Sequence, residues 1–139
     1  MKKVFQEKNE YILRLDKGEE LIRTLKDFCK KENISAAFFK GLGAAIEAEI
    51  SFYDLNKKEY FSRKFQETLE IASLIGNVAF KGEEMIIHTH VVLANRELKA
   101  FAGHVDALIV GGTCEIHLRK FEGKIKRELS EEIGLNLMK

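Results

Sequence analysis

The sequence of 139 residues contains no proline and only two cysteines. Without proline there is no proline-rich linker, and we find no low-complexity tract or internal repeat. Cys29 and Cys114 lie far apart and form neither a CxxC pair nor a Cys/His metal motif. Two cysteines do not make a disulfide scaffold in a domain of this size. We therefore expect both to be small core residues of a reduced protein.

An excess of charge of one sign is also missing, since 23 Lys and Arg face 22 Asp and Glu, a formal net charge of +1. Such a balance gives no indication of a nucleic acid or a membrane as partner. The sequence has no signal peptide and no long apolar run, which predicts a cytoplasmic protein. Glutamates interrupt the basic residues near the C-terminus, which predicts a solvated face there. These basic residues are Arg119, Lys120, Lys124, Lys126 and Arg127.

The patterning predicts one α+β domain over residues 1–139, with 45% hydrophobic residues to form its core. Asp16 and Glu19 have the spacing of a helix capping box. The helix that follows is expected to end near Asn33 and to bury the apolar residues Leu21, Ile22, Leu25, Phe28 and Cys29. Almost everything after it has a strand period. We expect a mostly antiparallel sheet of six or more strands packed with one main helix.

The predicted strands cover residues 10–15, 35–40, 44–53, 59–66, 69–80, 85–94, 98–103, 107–121 and 124–129. Gly41-Leu42-Gly43 separates two of them. It lacks the third glycine of a dinucleotide fingerprint, and strand residues follow where a helix should begin. We interpret these glycines as a bulge, a tight bend or a close approach of another backbone.

Three histidines form the most informative pattern: His88-Thr89-His90, and then His104 fourteen residues later. Side chains of a strand alternate faces, so His88 and His90 point to the same side with Cβ atoms about 6–7 Å apart. The residues between His90 and His104 read as strand, polar turn and returning strand, a hairpin that brings His104 beside the other two. Three imidazoles without a fourth protein ligand are typical of a metal site with an open position. The alternative is that the HxH spacing is chance.

Other candidates have simpler interpretations. His117 alternates with apolar residues, which favours an exposed strand residue over a metal ligand. Glu70 and Glu115 lie in strand patterns. Either can serve as a hydrogen-bond partner of a metal ligand or as a general base, although a solvent-facing position is the simpler interpretation. Serine nucleophile motifs are missing, and neither cysteine has a base near it in the sequence.

The ordered segments of the chain resemble the PPC domain (plant and prokaryote conserved, also domain of unknown function 296). The resemblance spans about residues 5–130. It departs at Ala102, where members often have a second glycine, and at the short turn 95–97. The segments that carry it are residues 41–44, Ile50-Ser51-Phe52-Tyr53-Asp54, residues 69–77, 88–93 and 103–104, and Thr113-Cys114-Glu115-Ile116.

The resemblance implies an α/β or α+β fold around an antiparallel sheet, a homotrimer, and a metal or ligand site at the positions of the family's histidine trio, here His88, His90 and His104. Stand-alone prokaryotic members are often labelled PD1-like DNA-binding proteins by analogy with plant proteins, in which an AT-hook precedes the domain. This chain has no Arg-Gly-Arg-Pro. DNA as a partner therefore rests on analogy of fold.

Two hypotheses follow. The first, which we favour, is a homotrimeric binding or regulatory module whose three-histidine site is structural or senses a ligand, with DNA binding as one version. The second is a zinc-dependent enzyme, in which His88, His90 and His104 hold an ion whose bound water is the nucleophile or base. Zinc is the expected cofactor, and in the first hypothesis the three histidines form a metal or ligand site.

Overall fold

The computed structural model describes residues 1–139, which form nine strands and one helix. The elements, in chain order, are β1 (Lys2–Glu7), β2 (Glu10–Asp16), α1 (Leu21–Lys31), β3 (Ala37–Asp54), β4 (Glu59–Phe65), β5 (Leu69–Lys81), β6 (Glu84–Ala94), β7 (Ala100–Lys120), β8 (Arg127–Ser130) and β9 (Leu135–Met138). The single helix, of 11 residues, is too short to span a bilayer.

Seven strands form an antiparallel sheet in the order β1-β2-β7-β6-β5-β3-β4, and β8 pairs with β9 in a separate hairpin. Long strand β7 also pairs with β3, which closes β3, β5, β6 and β7 into a ring. The predicted fold class, α+β with six or more mostly antiparallel strands and one main helix, is confirmed.

Alternation along the strands sends one set of side chains into a core of 27 buried residues. The helix packs on the core through one face, with Leu21, Leu25, Phe28 and Cys29 buried. This face contains all the apolar helix positions predicted from spacing except Ile22, which is only partly buried. Because the core side chains point to the inside of the ring, the side chains on the outer face of β5, β6 and β7 do not contribute to the core and can form a functional site.

The predicted capping box at Asp16 is wrong. The N-cap is Glu20, whose carboxylate accepts hydrogen bonds from the backbone N–H groups of Ile22 and Arg23 at 3.1 and 2.6 Å. Glu19 instead accepts from the N–H of Asp16, and its own backbone carbonyl accepts from Val110 of β7. The segment before the helix is thus pinned to the sheet, which delays the start of the helix.

Several strand boundaries differ from those predicted. The glycine segment interrupts nothing: β3 runs through it as one strand with a shift of register, which confirms the interpretation as a bulge. Predicted strands 98–103 and 107–121 are one strand, because pairing with β3 continues from His104 to Ala107 across a shift of register. Strand β8 begins at Arg127 rather than at 124. Strands β1 and β9 were not predicted.

Both cysteines lie in the core as expected. Burial raises the pKa of Cys29 to about 12, and the pKa of Cys114 to about 12 as well, with a smaller contribution from the neighbouring carboxylate of Glu115. Thiols with such pKa values are protonated at neutral pH and are poor nucleophiles or metal ligands.

Two glycines of β3 allow β7 to approach closely. A Cβ atom on Gly41 would lie 2.6 Å from the carbonyl oxygen of Glu115, and one on Gly43 would lie 2.1 Å from the carbonyl oxygen of Thr113. Gly43 also has a φ of 151°, which side chains rarely adopt. The bulge therefore requires glycine at the point where β3 and β7 cross the core.

We predict that Gly43→Ala lowers the free energy of unfolding by about 2–4 kcal/mol, since the new methyl group collides with backbone and the φ value is unfavourable. Urea unfolding measures the effect. The matched control is Gly112→Ala on β7, where a Cβ atom meets nothing within 4 Å. Equal losses in the two variants would contradict the steric argument.

Candidate metal centre

Strand β6 presents His88 and His90 on the outer face of the ring, with buried Thr89 between them pointing inward. The pairing register extends these positions into rows across the sheet. His88 lies beside Asn77 of β5, which lies beside Phe38 of β3. His90 lies beside Ile75 in the same way. The predicted alternation of the HxH motif is confirmed.

The third histidine, His104, is positioned by the predicted turn between β6 and β7. The Asn95 side chain accepts hydrogen bonds from the backbone N–H groups of Glu97 and Lys99 at 3.1 and 3.0 Å, which closes the turn. The returning strand β7 then pairs His104 directly with His90. Because directly paired residues point to the same face, His104 joins the outer-face pair, and the predicted hairpin is confirmed.

The three imidazole rings form a compact triangle. Their centroids are 5.1 Å apart for His88 and His90, 5.0 Å for His88 and His104, and 5.5 Å for His90 and His104. One ring nitrogen from each residue lies within 4.8 Å of the others. Two of the rings are half-buried, and His90 is exposed. No Asp, Glu or Cys belongs to this cluster.

Burial keeps the inner histidines neutral. It lowers the pKa of His88 to about 4, with further contributions from the charge of Arg127 and from His104 and His90. Burial also lowers the pKa of His104, although the nearby carboxylate of Asp106 acts in the opposite direction. A neutral imidazole offers a free lone pair, which is the form that binds a metal ion.

The residues fit a zinc ion. Tetrahedral coordination at Zn–N distances of about 2.0–2.1 Å needs nitrogens about 3.4 Å apart, and the observed limit of 4.8 Å is within about 1.4 Å of this spacing. The Nδ1 atom of His104 is buried and has no hydrogen-bond partner. Buried polar atoms are usually paired, so an orphaned nitrogen in the cluster is an observation that a bound ion would explain.

Sequence reasoning missed Arg127, the first residue of β8. Its Nη2 atom donates to the Oδ1 atom of Asn77 at 2.9 Å and contacts the Nδ1 atom of His88 at 3.1 Å. Its Nη1 atom donates to the carbonyl oxygen of Asn136 on β9 at 2.8 Å. The prediction of a solvated face is therefore wrong for Arg127, because the β8–β9 hairpin folds back onto the histidines and half-buries it.

Tyr60 of β4 also borders the cluster, with its ring centroid 5.5 Å from that of His104. Burial, followed by the carboxylate of Asp106 and by Tyr53, raises the pKa of Tyr60, so its hydroxyl keeps its proton. Neither Tyr60 nor Arg127 could be recognised from spacing, since each comes from a strand remote in sequence. A weak signal existed only for Arg127, in the basic segment that contains it.

The remaining candidates lie elsewhere. His117 pairs with the carboxylate of Glu10 on the neighbouring strand β2 and does not join the three histidines, as expected. Glu70 and Glu115 are exposed strand residues outside the cluster, in agreement with the simpler of their two interpretations.

Fold and cluster together define a single-domain α+β protein with three converging histidines on an antiparallel sheet. Residues 2–122 match the family model of the Plants and Prokaryotes Conserved (PCC) domain, so the chain belongs to this family. The resemblance to the PPC domain is confirmed. No curated protein matches the sequence significantly.

Solved structures share the fold over nearly the whole chain. A plant- and prokaryote-conserved (PPC) protein of Pyrococcus horikoshii is 38% identical, with a TM-score of 0.88 over 94% of this chain and 90% of its own. A metal-containing protein of Archaeoglobus fulgidus is 35% identical, with a TM-score of 0.88 over 99% of both chains. A Bacteroides thetaiotaomicron protein described as a "putative dna binding protein" is 28% identical, with a TM-score of 0.93 over 97% of this chain and 94% of its own.

We predict that the metal-free protein becomes less stable as the pH falls from 6.5 towards 4, because the unfolded chain takes up a proton on His88 that the folded chain resists. After a discount for partial exposure, the loss from His88 at pH 5 relative to pH 7 is about 1 kcal/mol. Urea unfolding of the chelator-treated protein and of His88→Gln, which lacks this contribution, gives the difference. An NMR titration midpoint of His88 above pH 6 would contradict it.

Proposed function

We propose that this protein is a metal-dependent ligand-binding module in which His88, His90 and His104 hold one zinc ion. The observation that carries the proposal is the convergence of three imidazole nitrogens within 4.8 Å, without a carboxylate or thiolate among them. Three protein ligands leave one tetrahedral position open. A site that served only to hold the fold together would more typically have four protein ligands.

Each neighbouring residue has a definable part. Register holds His90 against His104, while Asn77 lies beside His88 and fixes the guanidinium of Arg127 next to it. Tyr60 covers the side of the cluster at His104. A bound zinc ion supplies a Lewis acid that attracts an electron-rich ligand atom to the open position. The protein residues supply the walls and the charge that select which ligand binds.

A second candidate function is a zinc-dependent enzyme. The observation that favours it is the same open position, with Arg127 and Tyr60 beside it, since catalytic zinc sites commonly have three protein ligands and nearby polar groups. A binding module needs only affinity, whereas an enzyme must turn a substrate over. Release of product by the zinc-loaded protein, lost in His90→Gln, would favour this candidate.

DNA binding is a more specific version of the binding module. It is favoured by the description of the Bacteroides relative, whereas a net charge of +1 provides little general attraction to phosphates. A mobility-shift titration with AT-rich duplex tests it. Electrostatic contacts are strongest at low salt, so the absence of binding at about 50 mM salt would exclude DNA as a partner.

We also propose that the protein forms a homotrimer. Strand β4 is an edge strand with almost every residue exposed, yet it contains Phe61, which is 48% exposed. Phe52 of β3, which pairs directly with Phe61, is 71% exposed. Adjacent exposed aromatic rings on an unpaired edge are unusual for a monomer and are typical of surfaces that associate.

We predict that the protein purified without added zinc contains about one zinc ion per chain, measured by elemental analysis. His90→Gln should weaken zinc affinity by about 100-fold or more, since it removes one ligand. His90 is exposed, so the variant retains the core. The matched control is His117→Gln, which removes an imidazole outside the cluster. Equal, near-zero zinc in the wild type and His90→Gln would contradict the proposal.

We predict that light scattering gives a mass of about three chains, close to three times 15.9 kDa, and that Phe52→Lys shifts the protein towards monomer. The control Leu98→Lys places the same charge at another exposed apolar position, on the turn before β7. A monomeric wild type, or equal dissociation of the two variants, would contradict the assignment of this surface.

A further inference from the structure

The feature that leads beyond a metal site is the guanidinium of Arg127, which lacks a counter-charge. All its hydrogen-bonding contacts are neutral: the Asn77 amide oxygen, the Asn136 carbonyl oxygen and the His88 ring nitrogen, at 2.9, 2.8 and 3.1 Å. No Asp or Glu lies within ion-pair distance of it. Its Nε atom is buried and has no partner at all. A guanidinium taken partly out of water is commonly paired with an anion, so this arrangement favours an anionic ligand.

The hairpin that carries Arg127 is firmly attached, so the guanidinium is not placed there by a loose tail. The hydroxyl of Tyr53 donates to the carbonyl oxygen of Ile133 at 2.9 Å, and the Nζ atom of Lys58 donates to that of Glu131 at 2.7 Å. On the other side, the N–H of Phe80 donates to the carbonyl oxygen of Ile125 at 2.8 Å. These contacts hold β8 against the sheet, at the edge of the histidine cluster.

Metal binding and the Arg127 contact compete for His88. A neutral imidazole has one free ring lone pair. When Arg127 donates to Nδ1, that lone pair is used, and the ring proton is on Nε2. If a metal ion binds to Nδ1, it takes the same lone pair. If it binds to Nε2, the ring proton moves to Nδ1, and Nδ1 can then no longer accept a hydrogen bond from Arg127. In both cases the hydrogen bond between Arg127 and His88 is lost. The Nη2 atom of Arg127 keeps its hydrogen bond to Asn77 and has one N–H group free for a ligand.

The space next to these groups is small and mostly apolar. A cleft of about 210 Å³ is lined by Phe38, Ile75, Gly76, Asn77, His88 and His90. Asn77 and His88, which contact Arg127, therefore also line the cleft. The Phe38 ring and the Ile75 side chain suit the hydrocarbon part of a small molecule. The carboxylate of Asp106 contributes to the pKa shifts of His104 and Tyr60 and does not contribute to that of Arg127.

We infer that the ligand of this site is a small organic carboxylate. Its carboxylate group places one oxygen at the open metal position and accepts hydrogen bonds from Arg127. This rests on the proposed zinc site. Zinc with three neutral imidazoles, together with Arg127, brings three positive charges without an anionic protein ligand. The planar fork of a guanidinium matches a carboxylate, and charge-assisted hydrogen bonds are the strong ones. The apolar cleft accommodates the rest of the acid.

Calorimetry of the zinc-loaded protein with sodium benzoate tests this, with benzamide as the neutral ligand of the same shape. Benzoate should bind and benzamide should bind at least tenfold more weakly. Arg127→Gln should weaken benzoate binding at least tenfold while retaining its zinc. The matched control Lys126→Gln removes the neighbouring exposed charge and should change benzoate affinity less than twofold. Removal of zinc should weaken benzoate binding in the wild type.

The outcomes separate the two proposals because zinc content is measured independently. Full zinc occupancy with no benzoate signal, or with equal benzoate affinity in the wild type and Arg127→Gln, would overturn the carboxylate site alone. Binding of inorganic phosphate without binding of benzoate would overturn the carboxylate class. Absence of zinc would overturn the metal site and the carboxylate site together. Arg127→Lys keeps the charge without the fork, and intermediate affinity in this variant would support the bidentate contact.

Discussion

The candidate site depends on the register between β6 and β7, which pairs His90 with His104. A slip of one residue would turn His104 inward and bring Val105, now buried, to the outer face. Burial of Val91 and Leu93 on the opposite face of β6 opposes such a slip. The same core that stabilises the fold therefore positions the histidines, and no separate device is needed to hold them.

The electrostatics of the site follow from what surrounds the three rings. Burial favours neutral His88 and His104, and the one fixed charge in contact with the cluster is the cation Arg127. A cluster without carboxylates gives any bound zinc ion its full charge, in contrast to sites where Asp or Glu ligands reduce it. In the proposed zinc site, affinity for anions thus follows from the three neutral imidazoles themselves, and Arg127 determines on which side of the cluster an anion is held.

The sequence was sufficient for the part of the site that lies within one hairpin. Period-two alternation places His88 and His90 together, and a turn between strands adds His104. Arg127 is 23 residues beyond His104, and its position depends on how a terminal hairpin docks, which periodicity does not encode. The helix start was mispredicted for a similar reason: Glu20 is an uncommon N-cap, and contacts of the preceding residues with β7 determine where the helix begins.

The separation of site and core determines what substitutions at this centre can reveal. None of the three histidines, nor Arg127 or Asn77, belongs to the buried cluster of 27 residues that holds the fold together. That cluster is enclosed by the paired strands of the ring and by the helix. Loss of one imidazole is therefore expected to weaken the proposed zinc site while the sheet remains intact. Changes in zinc or carboxylate binding after such substitutions are expected to report on the proposed site rather than on folding.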